Sequence, residues 1–234
     1  MRSFFGYLTN KANLLEENIA DRLETPKQIK QLPRHLSLDE SKELLSAAAE
    51  SETRYSSRDY CILTFFLNCG LRLAELCSID IPNIKEDRMT VMGKGGKERT
   101  IYLNGACIRA LQDYLPERFE AKKKDKHALF ISRLGTRVQP RAVQNIIKKY
   151  IVSAGLDPRR YSTHKLRHTA ATLMYQYGEV DIRSLQAILG HSTVATTEIY
   201  THIDNKQLHN AVDRNPLNQL PAIKTKDTAS TDDQ

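Results

Sequence analysis

Phosphate is bound where cations and free backbone N–H groups converge, and several short stretches of this sequence offer that combination. In Ser162-Thr163-His164-Lys165-Leu166-Arg167-His168-Thr169, a helix starting at Ser162 or Thr163 sets His164 and Arg167 three residues apart on one face. An imidazole beside a guanidinium at a helix N-terminus suits a phosphate, and Lys165 adds a cation nearby. Taken alone, a His and an Arg on one helix are more often solvated surface residues, so the stretch by itself does not establish a site. His164 and His168 also have the four-residue spacing of zinc ligands. Lys, Leu and Arg stand between them without the metalloprotease glutamate, so no metal site is read.

Other stretches repeat the ambiguity. Arg72, in Gly70-Leu71-Arg72-Leu73-Ala74-Glu75-Leu76, lies at the start of an expected helix, where the dipole disfavours a cation. Glu75, three residues on, is placed to pair with it, as either an orienting contact or an ordinary ion pair. The loop Gly93-Lys94-Gly95-Gly96-Lys97-Glu98-Arg99 is no phosphate loop, because neither lysine is followed by Ser or Thr. It reads as a basic hairpin tip, suited to a groove or simply solvated, with Lys94, Lys97 and Arg99 as its cations. In Leu189-Gly190-His191-Ser192 the histidine sits at a tight corner between two helices, where a structural hydrogen bond would account for it.

The elements that must position these groups are mostly helical. Ser37-Leu38-Asp39-Glu40 forms a capping box and starts a helix carrying Leu44 and Leu45 inward. Further helices are expected over about 57–68, with Gly70 as the cap, from Arg72, and from Asn104 to Leu115. Others follow at 140–153, 163–177, 182–189 and 194–200, with Asp204 capping one more. Residues 89–92 and 98–103 read as two strands of a hairpin, with 129–131 as a third short strand. The amino end gives an amphipathic helix over 4–15 and a polar linker through Pro26 and Pro33. The fold class is mainly α with a small antiparallel β-sheet (α+β).

The 234 residues carry 35 Lys and Arg against 28 Asp and Glu, a formal charge of +7 that suits a polyanionic partner. No apolar run approaches bilayer length and the amino end is not a signal peptide, so a cytoplasmic protein without membrane contact is expected. Cys61, Cys69, Cys77 and Cys107 form no C-x-x-C pair and read as small buried hydrophobes.

Taken in order, GLRLAEL, GKGGKER, THKLRHT, LGHS and TEIYTH resemble the tyrosine recombinase (phage integrase) family, most closely its Xer-like branch. They span residues 70–202, and Tyr200 stands nine residues after His191. The resemblance implies that family's catalytic-domain fold and a set of roles. Arg72 and Arg167 would clamp the scissile phosphate, His164 would assist proton transfer and His191 would hydrogen-bond the phosphate. Lys94 would be the general acid, Tyr200 the nucleophile, and Glu75 the partner that orients Arg72. Lys97, Arg99 and Lys165 are added as DNA contacts. No cofactor or metal is implied.

The resemblance also implies a partner, double-stranded DNA carrying a specific recombination site. It implies a homo- or hetero-tetramer held through the helix after the nucleophile, here the apolar stripe of Leu208, Ala211 and Val212, which fits packing back on its own domain equally well, and a place in the bacterial nucleoid. Family members carry a separate core-binding domain ahead of the catalytic one. Only residues 2–15 resemble its end, so 1–32 are expected to be a truncated remnant plus linker, 33–215 the catalytic domain and 216–234 a disordered tail. Two rival functions fit the same motifs: type IB topoisomerase-like cleavage and religation, and a non-catalytic DNA-binding module.

Overall fold

A computed structural model of the chain describes residues 2–22, 35–93, 96, 98–178, 180, 182–190 and 212–219. The chain divides into two compact units, Met1–Pro33 and Arg34–Gln234. In the first, helix α1 spans Arg2–Asn10 and a 3-10 turn spans Ile19–Arg22. The helix stops five residues short of the expected Leu15. The N–H groups of Lys11 and Ala12 both donate to Tyr7 O at 3.0 Å, and Asn13 takes a left-handed φ of 48°. Asn tolerates that region through local hydrogen bonding, and a helix does not continue through it.

The second unit is built around α3, Ser56–Cys69, whose residues from Ser57 onward are all buried. A helix buried on every side must be surrounded, and α3 packs against α2 (Leu38–Ala49), α5 (Gly105–Glu117) and α7 (Thr163–Tyr177). Phe65 meets Phe130 edge-on at 5.9 Å, and Tyr114 stacks on Phe130 at 5.7 Å. Ser37 and Glu40 form the expected capping box on α2, at 3.1 and 2.7 Å. The short α4 (Leu73–Ser78), α6 (Pro140–Ser153) and α8 (Ile182–Leu189) complete the helices described. Ala170, Ala171 and Met174 of α7 pack with Leu185, Ile188 and Leu189 of α8 in a small core of their own. None of the described helices is long and apolar enough to cross a membrane.

The sheet has three antiparallel strands in sequence order: β1 (Ile84–Lys85), β2 (Arg88–Met92) and β3 (Glu98–Tyr102). The hairpin register pairs Met92 with Glu98 and Val91 with Arg99. Residues 129–131 are not the third strand. Ala128, just before the run, bridges Asp80 and Ile131, its last residue, bridges Arg137, each in isolation, and the run is buried beneath Tyr114, whose hydroxyl donates to Leu129 O at 3.0 Å.

The four cysteines are buried free thiols, with Sγ of Cys69 and Cys107 3.5 Å apart. Order also runs past residue 215. Pro216–Gln219 forms a 3-10 turn and Leu217 is fully buried, because an apolar side chain there fills the space beside α3 and α5. Residues 220–234 lie outside the described residues.

Candidate active site

Helix α3 ends at Gly70, whose φ of 58° turns the chain sharply into Leu71 and Arg72. Leu71 is fully buried, and this anchors Arg72 as the N-cap residue of α4. Glu75, at the third position of α4, reaches back. Its Oε2 accepts from the Arg72 backbone N–H at 2.7 Å, and its Oε1 accepts from Arg72 Nη1 at 2.7 Å. The pairing expected from the three-residue spacing is present, and it answers the cation's unfavourable place at a helix start.

Glu75 is only 2% exposed, and two further arginines converge on it. Arg99, from β3, donates through Nε to Oε1 at 3.2 Å and through Nη2 to Oε2 at 2.8 Å. Arg167, from α7, brings Nη1 to 3.8 Å of Oε2. Burial pulls the Glu75 carboxyl upward, but the hydrogen bonds and charge of Arg99, together with the bonds from Arg72, outweigh it and hold the group at about 2. Burial, and then the like charges of Arg72 and Arg99, bring the Arg167 guanidinium down to about 10, against the pull of Glu75. It remains a cation at neutral pH.

Three guanidinium groups around one carboxylate leave two positive charges in surplus. Arg72 is the most open of the three, with a third of its side chain exposed, whereas Arg99 and Arg167 are mostly covered. Arg167 Nη1 donates to Gly70 O and Nη2 to Leu189 O, each at 2.6 Å, and Arg72 Nη2 donates to Gly190 O at 2.6 Å. The cluster therefore ties the end of α3, the start of α4, the face of α7 and the end of α8 to one point. A buried, preorganised positive site of this kind offsets charge building up on a phosphate without a metal ion.

His164 lies on the first turn of α7, exposed, with no hydrogen-bond partner among the described residues. Lys165, beside it, is half-buried. Ser162 is the N-cap residue, although its hydroxyl makes no capping bond. Lys94, Lys97, His191 and Tyr200 lie outside the described residues.

Arg99 departs from the expectation. Expected among the hairpin-tip cations and DNA contacts, it lies on the sheet face shared with Ile101, opposite the buried Val91, with its guanidinium on Glu75. The two-residue alternation of Arg99 and Ile101 carried that signal, since both must point the same way in a strand.

Comparisons with known proteins identify the family. The phage integrase family model matches residues 34–207. A tyrosine recombinase XerC of Caldanaerobacter subterraneus subsp. tengcongensis is 52% identical over 219 residues, covering 94% of this chain and 61% of its own length. A second XerC, of Alcanivorax borkumensis, is 37% identical over 216 residues, covering 91% and 69%. This chain thus spans between three-fifths and seven-tenths of the length of these two relatives. Among solved structures, a XerA recombinase matches with a TM-score of 0.61 and 30% identity, over 88% of this chain and 78% of that one. A XerH site-specific recombinase bound to a palindromic difH substrate, in a post-cleavage complex, matches with a TM-score of 0.62 and 28% identity, over 77% and 53%. With a match that runs through every one of the five motifs, this chain belongs to the phage integrase family, the tyrosine recombinases.

Proposed function

We propose that this chain is the catalytic part of a site-specific DNA recombinase that cleaves and rejoins strands through Tyr200. The observation that carries the reading is the Glu75 cluster. Two arginines of the matched motifs, Arg72 and Arg167, stand on one buried carboxylate with positive charge in surplus. Guanidinium forks fit the non-bridging oxygens of a phosphodiester and stabilise the charge that grows there in the transition state.

In this reading the Tyr200 oxygen attacks phosphorus, forming a 3′-phosphotyrosine as the bond from phosphorus to the 5′ oxygen breaks. A free phenol has a pKa of ~10, so only about one in a thousand is ionised at neutral pH, and loss of its proton needs help. His164, exposed on the first turn of α7, assists that transfer, His191 hydrogen-bonds the phosphate, and Lys94 protonates the departing 5′ oxygen. Lys97 and Lys165 contact the DNA backbone. The phosphodiester energy is conserved in the tyrosyl bond, so a 5′-hydroxyl from another strand reverses the step without ATP or metal.

The partner is double-stranded DNA carrying a recombination site, as for the XerH neighbour on its difH substrate. Assembly as a tetramer on two sites and action in the bacterial nucleoid complete the proposal. The test is Tyr200→Phe, which removes one oxygen and keeps the ring. We expect the wild-type chain to form a covalent adduct, seen on a denaturing gel with a nicked duplex, and Tyr200→Phe to form none while binding DNA as before. Adduct at a comparable level in the variant would exclude Tyr200 as the nucleophile.

A further inference from the structure

Three successive carbonyls, the last two of α8 and that of the following Gly190, each accept from a different arginine. Ile188 O accepts from Arg99 Nη1, Leu189 O from Arg167 Nη2 and Gly190 O from Arg72 Nη2. A helix C-terminus carries unpaired carbonyls and a partial negative charge, so three cations there are favourable. The same three arginines surround Glu75. The end of α8, which leads directly into His191, is thereby bonded to both proposed phosphate clamps.

Arg99 differs from its two neighbours in how completely it is engaged. All three guanidinium nitrogens are bonded inside the protein, two to Glu75 and one to Ile188 O, and the side chain is 12% exposed. The backbone at the corner is cut to fit its stem. A Cβ on Gly190 would stand 2.7 Å from Arg99 Cδ, and Gly190 has a φ of 61° that favours glycine.

We propose that Arg99 is a positioning residue for DNA cleavage. It holds Glu75 and the end of α8 at once, and so fixes the aim of Arg72 and Arg167 and the backbone ahead of His191, without touching DNA. This rests on the recombinase reading above. A lysine cannot replace it, because one ammonium does not span a carboxylate and a carbonyl in the fixed directions of a planar fork.

The test uses the 234-residue chain and a nicked duplex obtained by covalent capture from a randomised pool with the wild type. Single-turnover adduct formation, DNA affinity and its salt dependence are measured for Arg99→Ala, Arg99→Lys, Glu75→Gln and the Arg99→Ala/Glu75→Gln double variant. We expect Arg99→Ala to slow adduct formation about 10- to 100-fold, the range typical of outer-shell partners, with little recovery in Arg99→Lys. Affinity and salt slope stay at the wild-type values. The two losses combine to less than their product, because both act on one contact.

The pH profile supplies a readout that a simple packing role would not move. Glu75 is faced by Arg72 from the start of α4, Arg99 from β3 and Arg167 from α7. Without Arg99, two cations oppose the upward pull of burial, so Glu75 takes its proton at higher pH. Cleavage by Arg99→Ala then falls at a higher pH on acidification than the wild type's does.

A salt slope reduced by about one, with affinity lost in proportion, would make Arg99 a phosphate contact and overturn the proposal. So would wild-type rates, or losses that multiply independently with Glu75→Gln. If Arg99→Ala fails to fold, the same cycle is read on Arg99→Lys. If the wild type captures no duplex at all, the recombinase reading fails, and this proposal with it.

Discussion

Glu75 holds Arg72 at both ends, accepting the backbone N–H on Oε2 and the guanidinium Nη1 on Oε1, each at 2.7 Å. A neutral glutamine cannot reproduce this, since its amide nitrogen would face a donor from Arg72 or Arg99. We expect Glu75→Gln to lose cleavage with DNA binding retained, as judged by adduct formation against a mobility-shift assay. Equal adduct from the variant would remove the orienting role.

The same residue gives a stability prediction with a definite sign. Its folded pKa, about 2, lies below the ordinary 4.5. Its contribution is therefore fully present above about 4.5 and is lost as pH falls towards 2, an effect of at most about 3 kcal/mol. Asp59 acts in the opposite direction, because burial raises its pKa against the pull of Arg58. The quantity to measure is therefore the stability difference between wild type and Glu75→Gln by urea titration at several pH values. A difference that does not shrink in acid would contradict the assignment.

Arg72→Lys and Arg167→Lys should separate activity from stability. Loss of one oxyanion-type donor typically removes ~2.7–4 kcal/mol of transition-state stabilisation, so both variants should cleave poorly. Only Arg167 is buried and shared between Gly70 O and Leu189 O, so only its replacement should also lower the melting temperature clearly. Wild-type-like cleavage by either variant would show that its arginine is not a phosphate clamp.

Much of this arrangement is legible in the sequence. The bounds of α6, α7 and α8 agree with the periodicity at 140–153, 163–177 and 182–189, and Gly70 caps α3 as its place after an apolar run requires. The pairing of Arg72 and Glu75 follows from helix spacing alone. What was not legible depends on contacts distant in sequence. Strand β1 has two residues and no alternation to read. The apolar run 129–131 looks like a strand because it is buried, but Leu129 N–H donates to Ile79 O outside the sheet. Arg99 ends a basic loop in the sequence, and nothing in that loop points to its bonds with Glu75, 24 residues away, and Ile188, 89 residues away.

Lys94 is expected to have a selective effect. If it protonates the leaving 5′ oxygen, a substrate with sulfur at that bridging position needs no acid, since a thiolate leaves unaided. Lys94→Ala should then cleave the sulfur substrate nearly as fast as the wild type and the normal one much more slowly. A defect of the same size on both substrates would reduce Lys94 to a DNA contact.

The segment after the nucleophile calls for two separate probes. Its described part, residues 212–219, docks on its own unit. Val212 and Leu217 are buried, and Asn215 Nδ2 donates to Leu67 O at 3.0 Å. Asn218 Oδ1 accepts the Ala106 N–H at 2.8 Å, an otherwise unpaired donor in the first turn of α5. Asn104, the N-cap of that helix, donates to Val212 O at 3.2 Å while its Oδ1 accepts from Cys107 N. This stretch is therefore part of the fold, and a charge at Val212 would be buried without a partner. Leu217→Ala should cost ~2–5 kcal/mol, as for a buried leucine truncation. Val212→Asp should lower the melting temperature strongly, measured by circular dichroism. Leu208 lies outside the described residues, on the apolar stripe that the family resemblance assigns to a neighbouring subunit. Leu208→Asp is expected to leave the melting temperature unchanged while reducing assembly on DNA, followed by light scattering, together with recombination between two sites. If Val212→Asp melts like the wild type, the docking described here is not what stabilises the domain. If Leu208→Asp assembles and recombines normally, the stripe is not an intersubunit contact.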